Sequence, residues 1–209
     1  MIRNLLIALW IAAPLGVGAY HFGPGQERLR TDEAGDYLAE AETQLALAAE
    51  PGASDLAKTA AFAKAKQAID HALLLLPDDA THLRRDLRIE RAKCRMFTSE
   101  LPQANGELAE LVRELGEDGA DPEQLARARD AYANSQYYLT WLMRLEGAGR
   151  ADWEPHVESA RQTYRLLAED AEARGDAAAT EKHTEDLEAA IRLARMELSE
   201  LQGLPLPSQ

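Results

Sequence analysis

From about Thr31 to Gly203, apolar residues recur at three- and four-residue steps in seven stretches, each closed by Gly or Pro or passing directly into the next start signal. That spacing lines one face of an α-helix, whereas side chains on a strand alternate between two faces. The first stretch, roughly 32–50, carries Ala34, Leu38, Ala41, Leu45 and Ala48 and stops at Pro51-Gly52. A second starts at Ser54, a good N-cap, and runs through Ala61, Ala65, Ile69, Ala72 and Leu76 to Pro77. Asp78 and Asp79 are expected to cap a third, with Leu83, Leu87, Cys94, Phe97 and Leu101. The fourth, from Pro102, carries Ala104, Leu108, Leu111 and Leu115 and closes at Gly116. Asp121-Pro122 pairs an N-cap with proline at the first helical position and opens a fifth that ends at Gly147. Asp152 opens a sixth, with Trp153, Val157, Ala160, Tyr164, Leu167 and Ala171, ending at Gly175. Asp176 caps a seventh with Leu187, Ala190, Ala194, Leu198 and Leu201 before Gly203.

Composition agrees. Of 209 residues 39 are Ala and 31 are Leu, and aromatics make up only 6%, which leaves too few β-branched and aromatic residues for a sandwich or barrel. The chain is therefore predicted to be all-α, with about seven helices joined by links short enough to make neighbours antiparallel. The expected organisation is an N-terminal segment 1–22, a short tether 23–31, one helical domain 32–203 and a tail 204–209. An irregular helical bundle is the alternative to an ordered stack of hairpins.

The N-terminal segment is of a different kind. Leu5 to Tyr20 carries no charge and follows a short start whose only charged side chain is Arg3. It is near the lower length limit for a membrane-crossing helix. As a signal-anchor it holds the chain by a single pass, with Tyr20, His21 and Phe22 at the interface, the N-terminus cytoplasmic and the body extracytoplasmic, periplasmic in a bacterium. As a signal peptide it is cut after Ala19 and the body is secreted. The charge is split accordingly. Residues 1–30 hold Arg3, Arg28 and Arg30 against Glu27, yet the whole chain carries −13, so the body is strongly acidic. Such a body repels nucleic acid and favours a basic protein or peptide partner.

The even-numbered stretches share a pattern. Ala65, Ile69, Ala72 and Pro77 correspond to Ala104, Leu108, Leu111 and Gly116, and then to Ala160, Tyr164 and Leu167. A small residue, a bulky one four on, an apolar one seven on and a breaker near twelve on resembles the second helix of a tetratricopeptide repeat. Lys64–Pro77 is the best match. The resemblance covers about 32–175, and the spacing between Ala65, Ala104 and Ala160 exceeds the family's 34 residues. It implies a tetratricopeptide-like α-solenoid, with the seventh helix as a terminal cap and a groove lined by the first helix of each pair. The family's carboxylate clamp of Lys and Asn has no counterpart here, so recognition of a C-terminal carboxylate is not implied.

Little in the chain points to catalysis. His21, His71, His82, His156 and His183 include no pair at helical ligand spacing. His71 and His82 flank the Pro77 turn beside Asp78 and Asp79, a weak metal-site alternative to the preferred reading, capping aspartates and solvated imidazoles. Cys94, the lone cysteine, lies on an apolar stripe and reads as a buried thiol. Glu181–Glu185 reads as an exposed first turn. No enzyme activity, cofactor or metal is expected. The fifth stretch alone carries surplus chemistry: beside its apolar stripe, Arg127, Asn134, Tyr137, Trp141 and Arg144 share a second face. Tyr, Trp and Arg dominate binding hot spots, so this face is the candidate partner-binding surface. The competing reading packs Tyr137 and Trp141 against the last helices, with Arg144 reaching past them. The function expected is a membrane-anchored helical-repeat scaffold for protein–protein interaction. The alternative is an exported structural helical domain of an envelope assembly.

Overall fold

The computed structural model describes residues 24–202, which form eight helices and, among those residues, no strand. They are α1 (Pro24–Ala48), α2 (Asp55–Leu75), α3 (Thr81–Met96), α4 (Leu101–Glu117), α5 (Pro122–Leu145), α6 (Arg150–Arg174), α7 (Ala177–Arg195) and α8 (Leu198–Gln202). No helix among the described residues is long and apolar enough to cross a membrane. The expected N-terminal anchor, residues 1–22, lies outside the described residues. The chain divides into two compact units at Leu87/Arg88, within α3.

In the first unit α1 packs on α2 through alanine. Ala34, Ala41 and Ala48 repeat at sevens on α1, and Ala61, Ala65, Ala68 and Ala72 are buried on α2. A strict seven-residue repeat on a 3.6-residue helix drifts unless the pair winds left-handedly. Methyl-sized contacts also let the two axes come close. Gly52 sits at φ +89° in the turn between them, in the left-handed region where a Cβ is penalised. Residues 24–31, expected to be a tether, are helical and continuous with α1.

Three caps form as the residue types require, Asp176 of α7 among them by accepting from the Ala179 amide at 3.0 Å. Ser54 accepts from the Ala57 amide at 3.2 Å, and Asp121 accepts from the Gln124 amide at 3.1 Å. Two starts differ: α3 starts at Thr81, and its first turn closes by Arg84 N–H donating to the Ala80 carbonyl at 2.9 Å rather than on an Asp78 or Asp79 carboxylate, and α6 starts at Arg150 with Gly149 as its N-cap, so that Asp152 lies in the first turn instead of opening it.

The second unit has two apolar clusters. In the first, Ile89, Ala92 and Met96 of α3 meet Leu101, Ala104, Leu108, Leu111 and Leu115 of α4, with Ala128 and Ala131 of α5 beneath them. Leu108, Leu111 and Leu115 are fully buried, each contributing about 1.5–3 kcal/mol of transfer free energy. Between α3 and α4, Arg95 and Arg91 both reach Glu107, the former at 2.7 Å, and Arg88 reaches Glu114 at 2.7 Å. The second cluster joins Ala133 and Trp141 of α5, Trp153, Val157, Ala160, Tyr164 and Leu167 of α6, Ala190 and Leu193 of α7, and Leu201 of α8. Every residue of the predicted sixth stripe is buried.

The seventh stretch departs from its predicted course. Instead of running to Leu201 it ends at Arg195, and Met196 is extended (φ −64°, ψ 142°) before α8 begins. Leu76, after α2, has nearly the same conformation (φ −62°, ψ 139°). Both ends are held by an arginine from another helix. Arg84 donates to the Leu73 and Leu76 carbonyls at 3.0 Å each, and Arg144 donates to the Leu193 and Met196 carbonyls. A cation over the carbonyls that a helix end leaves orphaned satisfies them and complements the helix dipole.

Candidate interaction site

α5 organises the second unit because partners cover it on several sides. Its polar residues Gln124, Ser135, Gln136 and Thr140 are buried along with Ala128, Ala131 and Ala133. Burial of that kind is tolerable only with bonded partners, and the partners form a directional chain. His156 Nδ1 on α6 lies 2.6 Å from Gln136 Oε1. The Gln136 amide donates to Asn105 Oδ1 on α4 at 3.2 Å, Asn105 donates to Ser135 Oγ at 2.8 Å, and Ser135 donates to the Tyr132 carbonyl at 2.7 Å. The chain is satisfied throughout if Nδ1 of His156 carries the proton. It ties α4, α5 and α6 in a single register. Nothing in the separate segments marks these residues as partners, since every link but that of Ser135 to Tyr132 joins different helices.

The predicted docking stripe of α5 is placed residue by residue. Trp141 is 4% exposed in the second cluster, its indole Nε1 buried with no hydrogen-bond partner. Tyr137 is half-buried against the same cluster, with its ring 6.4 Å from that of Trp141. Burial raises the Tyr137 hydroxyl above its ordinary value. Asn134 accepts from the Tyr164 hydroxyl at 2.9 Å. Arg144 lies 4.7 Å over the Trp153 ring while it holds the end of α7. Arg127 is exposed, 3.6 Å from Glu123. Four of the five thus face α6 and α7, and only Arg127 presents its side chain largely to solvent.

Arg144 nevertheless connects the stripe to a surface. By fixing Leu193 and Met196 it sets the bend between α7 and α8, and an open groove runs along that bend. Glu188, Ile191, Arg192, Arg195, Met196 and Glu200 line it. Ile191 and Met196 are half-buried, and the four charged residues are exposed. An apolar floor with a charged rim is the usual anatomy of a peptide- or protein-binding surface.

The histidines flanking Pro77 do not converge on one site. His71 stacks on Tyr37 with centroids 4.8 Å apart, and His82 Nδ1 lies 3.3 Å from Asp86. A different cluster forms between α5 and α7. Lys182 Nζ bonds Asp130 Oδ1 and Asp186 Oδ2, each at 3.0 Å. His183 Nδ1 lies 3.6 Å from Asp130 and 3.8 Å from Asp186. Asp130, His183 and Asp186 form the one group among the described residues with three ligand atoms close enough to hold a metal ion, all within 4.8 Å of one another. The segment Glu181–Glu185 is thus not wholly exposed, because His183 turns inward with a side chain 13% exposed. The available signal was His183 and Asp186, three apart on one helix face; the contribution of Asp130 from α5 was not visible in sequence. No family model, curated protein or solved structure matches this chain.

Proposed function

We propose that this chain is a non-catalytic helical-repeat scaffold, held at a membrane by its N-terminal segment, which binds a protein or peptide partner. The groove at the α7–α8 bend carries the reading: it joins an apolar floor at Ile191 and Met196 to a charged rim on packed helices. The small residues at Ala65, Ala104 and Ala160 are all fully buried, as close helix pairing in a tetratricopeptide-like stack requires, and this supports the repeat reading. The −13 net charge favours a basic partner through long-range steering, with Glu188 and Glu200 as its local acceptors.

Charge reversal on the rim tests the pairing. Capture of the partner from native membranes should fall with Glu188→Lys and Glu200→Lys and be retained or rise with Arg192→Glu. The opposite pattern points to an acidic partner, and equal capture by all three variants removes the groove from the account. Trp141 is unsuitable for such a test. Emptying so buried a site costs about 3–5 kcal/mol, so lost capture would report a damaged core. Membrane attachment has its own measurement. Protein recovered from the membrane fraction should begin at Met1, whereas a soluble chain starting at Tyr20 would favour the exported structural domain.

A further inference from the structure

We propose that Asp130, His183 and Asp186 form a binding site for one divalent transition-metal ion of the zinc class, clamping α7 to α5. The three ligand atoms come from two helices and lie within 4.8 Å of one another. For metal–ligand bonds of about 2.0–2.2 Å, tetrahedral ligands stand about 3.4 Å apart. His183 Nδ1 is already 3.6 Å and 3.8 Å from the two carboxylates, a few tenths of an ångström beyond that spacing, and the two carboxylate oxygens, within 4.8 Å of each other, close the rest by side-chain rotation of up to about 1.4 Å. The same nitrogen is buried without a hydrogen-bond partner. With the proton on Nε2, the neutral imidazole presents the Nδ1 lone pair to the space between the two carboxylates.

Lys182 occupies the counter-cation's role in the absence of metal. Its ammonium group stands 3.0 Å from a carboxylate oxygen of both Asp130 and Asp186. Its side chain is 53% exposed and can swing into water, exchanging one positive charge for two beside two carboxylates. One imidazole and two carboxylates suit zinc, cobalt or manganese, and they supply too few oxygens for calcium. Three protein ligands leave coordination positions for water.

The test uses the untagged full chain in detergent, stripped of metal and titrated with Co2+ at pH 7.5, followed by visible absorption and displacement with Zn2+. One equivalent should bind, and Zn2+ should raise the Tm. His183→Gln and Asp130→Asn should each weaken binding by about tenfold or more and abolish the Tm rise, with helicity by circular dichroism confirming the fold. His82→Gln should bind like wild type. Lys182→Met should bind as tightly or more tightly, since a competing cation has gone; a merely structural cluster has no reason to show that gain. Absence of saturable uptake by the wild type, unchanged affinity in His183→Gln, or weaker binding in Lys182→Met would each overturn the proposal.

Discussion

Replacing Arg144 by alanine removes both of its bonds to the end of α7 and its stacking over Trp153. Hydrogen bonds to a charged group contribute about 1.5–3 kcal/mol. A loss of that order in urea denaturation should come with faster amide exchange across 193–201. Unchanged exchange there would mean that Arg144 does not hold the bend. His156 and His183 belong at the same scale. Burial holds both imidazoles below the ordinary value of 6.5. The unfolded chain therefore takes up protons first as pH falls, and stability declines through and below about pH 6.5. For His183 the facing charges are Asp130, Asp186 and Lys182; for His156 the facing group is the neutral Gln136 amide. Denaturation midpoints measured from pH 8 to pH 5 should fall, and the fall should be smaller in His156→Gln. A flat profile would contradict buried neutral imidazoles.

At the scale of helices, alanine decides how closely neighbours pack. Ala41 is 4% exposed in the α1–α2 seam, and Ala41→Leu should force the pair apart at a cost of about 1–3 kcal/mol. Ala39→Leu, at an exposed position two residues away, should change stability little, and equal effects would refute the close seam. The same small residues explain why the helices were legible. Their buried residues keep to one stripe in α2, α4 and α6, so periodicity and breakers locate both the helix and its buried face. α5 resisted that reading because it is covered on several sides. A helix buried nearly all round has two apparent stripes, so Tyr137 and Trp141 resembled binding residues while packing against α6 and α7. The end of α7 was illegible for a related reason. Leu198 and Leu201 keep the helical spacing across Met196, and the break is enforced by Arg144, far away in sequence. The cluster of Asp130 with His183 and Asp186 likewise depends on how α5 meets α7.

For the whole molecule, the scaffold reading unites an uncharged N-terminal segment, an acidic helical body and an open groove at the α7–α8 bend. A partner held there must lie within reach of Arg195, which lines the groove, whereas Leu166 of α6 is 39% exposed and does not line it. A photo-crosslinking residue in place of Arg195, activated in native membranes, tests this most directly, with Leu166 replaced in the same way as the control. The account predicts a discrete adduct from position 195 that is absent from position 166 and lost with Glu188→Lys. No adduct at 195, or the same adducts from both positions, would contradict it.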